Sequence, residues 1–511
     1  MSRRRRSNRP GNSQAKGPVR CNNSEECFGL VRRNRRRSKP TTHALLGESL
    51  RLQTEGAPAV HGVLQASSSL DVWSISMKSL AVIGGGITGV TTAYALARRG
   101  FTVTLLERHR YAAMETSFAN GGQLSASNAE TWTHPSTLVK GLKWMLRSDA
   151  PLLVNPRPSW HKISWFAEFI ASIPRYEANT VETARLAIAA REHLFVWAEA
   201  EGIAFDHRRE GILHIYRDRK GFEHAGRVSK LLAAGGLERR AVTPQEISAI
   251  EPTLAGSYYG GYYTESDSTG DIHRFTQGLA QACERLGVNC LYGQDVLSVR
   301  SNGSEARIEL KGPEGVTEQS YDGVVVCAGV GSRALASQLG DRVNVYPVKG
   351  YSITVNLLDE ASRRAAPTVS LLDDETKLVT SRLGEDRFRV AGTAEFNGVN
   401  RDIRADRIRP LVDWVQQCFP GVSTRQVVPW AGLRPMMPDM HAEGRPWPPG
   451  QRFLQHRPWT LGMDPQRCDC RPAGGTGCRR CRAVQCALAG DRCGGLRRPL
   501  LRRLEARWAI G

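Results

Sequence analysis

The stretch Val82-Ile83-Gly84-Gly85-Gly86-Ile87-Thr88-Gly89 carries glycines at 84, 86 and 89, a G-x-G-x-x-G spacing. Each of the three answers a separate physical demand. At Gly84 the backbone must turn tightly, at Gly86 a pyrophosphate must approach the main chain, and at Gly89 a helix must pack hard against a strand. A helix starting here aims free N–H groups and the positive end of its dipole at the phosphates. Glu107 lies 18 residues after Gly89, with Arg108 beside it. A carboxylate at the end of a second strand accepts both hydroxyls of an adenosine ribose. Alone the glycine pattern is a weak signal; framed by strand, helix, strand and terminal acid it reads as a dinucleotide site. The competing readings are a ligand-free glycine turn and a surface Glu107.

The elements that must hold these residues are legible around them. SLAVIGGG is a short apolar run that ends in glycine. ITGVTTAYALARRG places Ile87, Val90, Tyr94 and Ala97 on one helical face, with Gly100 as the stop signal. FTVTLLER is a second strand and completes a β-α-β unit. Beyond it the pattern predicts a long helix over 180–202, helix over 221–250, a helix from about Ile272, and a helix over 404–418. Strand runs fall at 295–301, 305–312, 321–329, 345–357, 377–396 and 427–439. The expected fold class is α/β, an α+β composite. A Rossmann-like FAD-binding domain (77–130, 270–345 and 425–440) interleaves with a mixed, largely antiparallel substrate domain (135–265 and 346–425). The flavin is favoured over a nicotinamide by two stretches. YDGVVVCAGVGS sets Ala328 and Gly329 after an apolar strand, a turn that returns to the cofactor. DVLSV offers the Val296 backbone to adenine. An ordinary buried strand is the competing reading of each.

Charge says little about function. The formal charge is +20, but residues 1–76 hold 14 Lys and Arg against 5 Asp and Glu, and residues 441–511 hold the same numbers. The body between them is nearly neutral, at +2. Residues 1–76 are Arg/Asn/Ser/Pro-rich and aperiodic and are expected to be a disordered basic extension, upstream of a true start at Met77. A nucleic-acid-binding arm is the alternative; no specific nucleic acid is expected. Cys283, Cys290, Cys327 and Cys418 have no ligand spacing and read as buried thiols of a reducing compartment. No run of 18 apolar residues is present.

Several motifs in order, MKSLAVIGGGITGVTTAYALARRGFTVTLLER, ETSFANGGQLS, STGDIHRFT, VCAGVGS, YPVKGYSIT and WAGLRPMMPD, resemble the FAD-dependent small subunit of bacterial D-amino acid dehydrogenase. The resemblance spans about residues 77–440. The wider group holds D-amino acid oxidase, glycine oxidase and sarcosine oxidase. It implies oxidative deamination of D-amino acids, D-alanine typically, to a 2-oxo acid and ammonia. Hydride passes to FAD, and electrons leave to a quinone or another electron-transfer acceptor. It implies a cytoplasmic enzyme, with a peripheral contact to the inner membrane. It places Ser117, Asn120, Gly121 and Gly122 of TSFANGG near the flavin ring. It makes Arg434 the ligand of the substrate carboxylate, since a planar guanidinium holds a carboxylate by two parallel bonds. A structural Arg434 paired to Asp439 is the alternative. Tyr351 reads as a substrate hydrogen-bond donor or as a core tyrosine. Asp271 and His273 read as an acid–base pair or as a turn aspartate and a helix-start histidine. Trp132, Trp144, Trp160 and Trp165 read as a membrane-resting edge or as core.

After Met440 the texture becomes Arg/Pro/Gly/Cys-rich, without helical or strand period. Cys468, Cys470, Cys478, Cys481, Cys486 and Cys493 have a metal-like look, but no regular second knuckle, and no metal is expected. The family's glycine-rich flavin loop is missing there. A one-base shift restores it: Met463-Asp464 then encodes Trp and Trp459-Thr460 encodes Gly. The tail 441–511 is therefore expected to be out of frame from about Asp439–His441, with weak FAD retention and little activity in the chain as written. An inactive flavoprotein fragment and an oxygen-using amine or amino-acid oxidase stand as alternatives.

Overall fold

The computed structural model describes residues 79–137, 141, 150–302, 305–440, 443–446 and 453–456. Among these residues two main sheets share the work. The smaller has six strands in the order β19 (Glu443–Pro446), β20 (Phe453–His456), β13 (Gly323–Val326), β1 (Ser79–Ile83), β2 (Thr102–Glu107) and β9 (Asn289–Tyr292). From β20 to β9 every neighbour is parallel. Parallel strands are buried on both faces, so they read as continuous apolar runs rather than alternating ones; SLAVI and GVVV do so. Alternate residues still face opposite layers. Leu80 and Val82 pack under α1 (Ile87–Ala97) and α6 (Ile272–Arg285), whereas Ala81 and Ile83 join the apolar layer formed with Ile308, Leu310 and Leu335. The second layer comes from a three-stranded antiparallel sheet, β10 (Asp295–Ser301), β11 (Ala306–Gly312) and β12 (Gly315–Tyr321), and from α7 (Ser332–Gln338).

The larger sheet has nine strands. Its path runs β18 (Val427–Met436), β14 (Tyr346–Asn356), β17 (Arg387–Phe396), β16 (Leu378–Leu383), β15 (Ser370–Asp373), β5 (Ile212–Tyr216), β7 (Gly260–Thr264) and β6 (Arg240–Val242), with β4 (Leu152–Val154) paired to β17. Most pairings are antiparallel. One face carries Ile353, Val355, Phe388 and Trp414 of α9 (Ala405–Cys418); the other carries Val348, Phe396 and Tyr346 against Trp165 and Phe169 of α2 (Trp160–Ala171). A two-stranded ribbon joins β3 (Gln123–Leu124) to β8 (Ser268–Thr269). The remaining helices are α3 (Tyr176–Ala200), α4 (Arg219–Ala234), α5 (Pro244–Ile250) and α8 (Glu360–Ala365).

Three expectations need correction. Helix over 221–250 is interrupted: α4 stops before Gly235, β6 intervenes, and α5 restarts with a capping box between Thr243 and Glu246. Residues 425–440, assigned to the dinucleotide part, contribute β18 to the larger sheet, because its register runs along β14 from Tyr346–Met436 to Val355–Val427. The stretch after Met440 does contain strands, β19 and β20, and β20 extends the smaller sheet beside β13. A ladder is made by backbone N–H and C=O groups, so an exposed strand edge accepts a partner without an alternating side-chain pattern. The basic extension 1–76, Trp144 and the cysteines from 468 to 493 lie outside the described residues. Among those described, Cys283, Cys327 and Cys418 are buried and Cys290 half-buried, none in a disulfide, and no cluster of His, Cys, Asp or Glu suits a metal.

Candidate cofactor and substrate site

A cavity of about 530 Å³ opens where the smaller sheet meets the larger one. Its floor is the turn between β1 and α1. Gly84 has φ +110°, and a Cβ there would collide with the Cys327 carbonyl oxygen. A Cβ at Gly89 would strike the Gly84 carbonyl oxygen, so only glycine lets α1 pack this closely. At Gly86 the nearest atom to a Cβ is the Ser117 Oγ, 3.7 Å away. The space beside Gly86 is thus open to an approaching group, whereas the other two glycines are needed by the protein itself. Ser117 Oγ accepts the Ile87 N–H at 3.1 Å, so a hydroxyl already stands at the helix N-terminus. This open, positively poled cradle suits a pyrophosphate.

Glu107 ends β2 and is buried. Its Oε2 accepts the Gly85 N–H at 2.5 Å and its Oε1 the His109 N–H at 2.9 Å. Each carboxylate oxygen keeps a second lone-pair direction, so the group remains able to receive ribose hydroxyls. Arg108 stands at the rim and pairs with Glu115. Val296, Ala328 and Gly329 line the same end of the cavity, with Gly329 at φ +54° opening a short helical turn into α7. Ile83, Ile87 and Thr88 line it too. Val82, Gly85 and Gly89, also singled out from the sequence, do not face it: Val82 is core, and the two glycines shape the wall from behind.

The loop 116–122 forms the other end and is tied to both sheets. Thr116 Oγ1 donates to the Leu433 carbonyl at 2.9 Å, Ser352 Oγ to the Ala119 carbonyl at 2.8 Å, and Ser381 Oγ to the Gly121 carbonyl at 2.6 Å. The buried Arg389 donates to the Asn120 carbonyl at 3.1 Å. The Gly122 N–H reaches Asn120 Oδ1 at 3.0 Å. Gly122 has φ +69°, and at Gly121 a Cβ would meet Val379 at 2.8 Å. The loop is therefore fixed by strands β14, β16, β17 and β18 rather than by its own sequence.

Arg434 and Tyr351 come together on this wall, from the paired strands β18 and β14. Arg434 lies against Gly350, whose missing Cβ would fall 2.6 Å from its Nε. Burial pushes the guanidinium down to about 10, so it stays cationic at neutral pH. Tyr351 is buried, and its Oη lies 3.5 Å from the Asp402 carbonyl oxygen. Burial, and then Glu395, raise its pKa, which keeps the phenol neutral. Asp439 lies 3.7 Å from Arg175. Asp271 and His273 are not an acid–base pair: Asp271 caps α6 and holds Arg387 at 2.9 Å, and His273 Nδ1 is 3.1 Å from the Ala113 carbonyl.

Sequence reasoning missed two groups. Gly350 and Trp430 line the cavity, but each follows from strand pairing that the local pattern does not show. Behind Tyr351 lies a buried ion cluster: Lys349 Nζ is 2.9 Å from Glu395 Oε2, and Glu395 Oε1 is 3.4 Å from Arg407 Nε. Lys349 sits in the KGYS motif, and a lysine two residues from a core tyrosine in a strand was the available signal.

A parallel-sheet dinucleotide cradle joined to a second sheet that presents a buried arginine defines a flavin-dependent oxidoreductase architecture. The FAD dependent oxidoreductase family matches residues 79–454, and the chain belongs to that family. It is 58% identical over 391 residues to D-amino acid dehydrogenase 3 of Mesorhizobium japonicum, covering 75% of this chain and 94% of that one. It is 42% identical over 371 residues to a D-amino acid dehydrogenase of Paramagnetospirillum magneticum, covering 70% and 85%. Among solved structures it shares its fold with glycine oxidase from Geobacillus kaustophilus, at TM-score 0.55 and 19% identity over 74% of this chain and 89% of that one. An L-α-glycerophosphate oxidase from Mycoplasma pneumoniae, with FAD bound, gives 0.56 and 17% over 74% and 89%.

Proposed function

We propose that the protein oxidises D-amino acids, D-alanine among them, to 2-oxo acids and ammonia, and passes the electrons to a quinone-type acceptor. The observation that carries this reading is the buried Arg434 guanidinium set against Gly350 on the cavity wall, facing the loop 116–122. The names of the most similar relatives point the same way.

The turn Gly84–Gly89, Ser117 and Glu107 would hold FAD, with Val296, Ala328 and Gly329 around its adenosine end. When bound, FAD supplies the acceptor for the hydride that leaves the substrate Cα. Arg434 receives the substrate carboxylate, and its burial strengthens that charge-assisted pair. Tyr351, whose Oη points to the Asp402 carbonyl, reaches the substrate only by exchanging that bond for one to the bound amino acid. Anchoring the carboxylate leaves rotation about the C–Cα bond, so selection of one enantiomer also requires the cavity wall to place the amino group and the side chain. The substrate gives up the hydride from Cα and a proton from its amino nitrogen, which passes to solvent, and becomes an imino acid. Water then adds and ammonia leaves.

The test is anaerobic. Protein saturated with FAD is mixed with D-alanine and, separately, with L-alanine. Bleaching of the flavin absorbance by the D-isomer alone, reversed by a soluble quinone analogue, is the expected result. Bleaching by neither, with flavin bound, would defeat the substrate assignment. Rapid reoxidation by air but not by quinone would defeat the acceptor assignment.

A further inference from the structure

Three successive carbonyl groups of the loop 116–122 point into the larger sheet. That of Ala119 is held by Ser352, that of Asn120 by Arg389 and that of Gly121 by Ser381. In a trans peptide the C=O and the N–H that follows it point in opposite directions. The N–H groups of Asn120, Gly121 and Gly122 are thereby turned away from the sheet, on the side of the cavity that Asn120 and Gly121 line. The Gly122 N–H is taken by Asn120 Oδ1 at 3.0 Å. Those of Asn120 and Gly121 have no partner among the described residues. Successive N–H groups bared in this way form a concavity that receives negative charge.

The three anchors differ in kind. Two are neutral hydroxyls and the third is a cation. Arg389 is 7% exposed, and its Nε donates to Thr354 Oγ1 at 2.8 Å across the β14–β17 pair. The charge of Asp271 reaches it, but that carboxylate is bound by Arg387 at 2.9 Å. Burial pushes the Arg389 pKa down to about 10, so the side chain stays cationic at neutral pH. A cation withdrawn this far from water is costly unless something nearby compensates it. What it touches on the cavity side is the Asn120 carbonyl, 3.1 Å away. A cation on the oxygen of a peptide polarises that peptide and strengthens the N–H at its other end, here that of Gly121. Ser352 and Ser381 fix the loop; Arg389 fixes it and adds charge.

With its pyrophosphate on the β1–α1 turn and its adenosine beside Glu107, FAD has this end of the cavity left for its ring. A ring that takes up a hydride, two electrons and one proton, gains one negative charge. We propose that Arg389 is a positioning residue for the flavin: acting through the Asn120–Gly121 peptide, it holds a polarised N–H toward the ring and favours the reduced, anionic form of FAD over the oxidised one. The inference rests on FAD occupying this cavity and on nothing about the substrate.

The test compares the affinity of the full chain for oxidised FAD and for FAD reduced with dithionite, by anaerobic calorimetric titration. The ratio of the two affinities is the shift in midpoint potential that the protein imposes on the flavin. Arg389→Met is expected to weaken binding of the reduced form about tenfold more than that of the oxidised form, the scale of one hydrogen bond to a charged group. For a two-electron couple that is a fall of about 30 mV in midpoint potential. Arg389→Lys, which keeps the cation, should stay near the wild-type ratio. Should Arg389→Met fail to fold, Arg389→Gln, also uncharged, carries the same comparison. An equal loss for both forms in the uncharged variants would make Arg389 a structural prop and overturn the proposal. So would an unchanged ratio, or a lowered ratio that Arg389→Lys does not restore. Wild type that binds neither form would overturn the proposal together with the cofactor site. No amino acid enters the titration, so its failure leaves the substrate assignment standing, and failure of D-alanine to bleach the flavin leaves this ratio measurable.

Discussion

The Nε of Arg434 lies 2.6 Å from the point where a Cβ on Gly350 would stand. The two residues are on neighbouring antiparallel strands, with Gly350 opposite Gly432 and Arg434 opposite Val348. The guanidinium thus lies over a stretch of β14 that glycine alone leaves clear. Gly350→Ala must push the guanidinium off this position or shift the strand. The expected outcome is a fall of about a hundredfold in kcat/KM for D-alanine, the scale of an ångström-level misplacement. Flavin content should be unchanged, because Gly350 takes no part in the pyrophosphate turn. Steady-state kinetics together with flavin stoichiometry check both halves.

The glycines of the β1–α1 turn should separate by experiment into two kinds. A Cβ at Gly86 has only Ser117 Oγ near it, at 3.7 Å, while one at Gly89 collides with a backbone oxygen. Gly86→Val should therefore fold with a near wild-type melting temperature and fail to bind FAD. Gly89→Ala should lose about 1–3 kcal/mol of stability through overpacking, whether or not flavin is present. Thermal melts with and without FAD distinguish the two.

Lys349 and Glu395 form an ion pair with side chains 0% and 2% exposed. Removing Lys349 leaves Glu395 with Arg407 at 3.4 Å and Arg404 at 3.3 Å, so the charge is not orphaned but loses its most closely buried donor. Lys349→Met is expected to cost about 1.5–3 kcal/mol, the scale of a hydrogen bond to a charged group, read from urea denaturation. Lys349 also donates to the Asn400 side chain at 2.6 Å and the Asp402 carbonyl at 3.1 Å. The segment over Tyr351 should loosen with it, and proteolysis within 397–404 should quicken before global unfolding does.

What was legible in the sequence was what is local. The β1–α1–β2 unit, its three glycines and Glu107 are contiguous, so spacing alone places them. Ala328 could be placed because it follows the apolar strand β13, and Val296 because it opens β10. The wall holding Arg434 was not readable as geometry, because β14 and β18 are about eighty residues apart in the chain and their register is set only when they pair. Loop 116–122 shows the same limit: its anchors, Ser352, Ser381 and Arg389, come from three distant strands. The tail illustrates a different one. Side-chain patterning carries no signal for β20, whose pairing with β13 is a backbone matter. The expected change of reading frame near Asp439–His441 is checked by sequencing the DNA across codons 430–470. A missing or extra base would restore the glycine-rich flavin loop; an intact frame would refute the shift.

The last prediction concerns acid. Glu115 lines the cavity rim and meets Arg401 at 2.7 Å, His109 at 2.8 Å, and Arg108 more closely still. Burial pushes its carboxyl up, but the hydrogen bonds from Arg401 and His109 and the charges of Arg108 and Arg401 outweigh burial and hold it at about 2, against an ordinary 4.5. A carboxyl whose pKa is depressed by folding contributes stability above its unfolded value and loses it as pH falls through the folded one. The contribution is therefore whole above about pH 4.5 and gone below about pH 2. Its size is roughly 1–2 kcal/mol once solvent screening of the half-exposed arginines is allowed for. Arg401→Gln removes the partner supplied by the segment 397–404. Its stability deficit against wild type should be constant from pH 7 to about 5, shrink between 4.5 and 2, and vanish below that. Urea midpoints measured across this range decide it. A deficit that does not change with pH would mean that Arg401 acts by packing and not through the Glu115 charge.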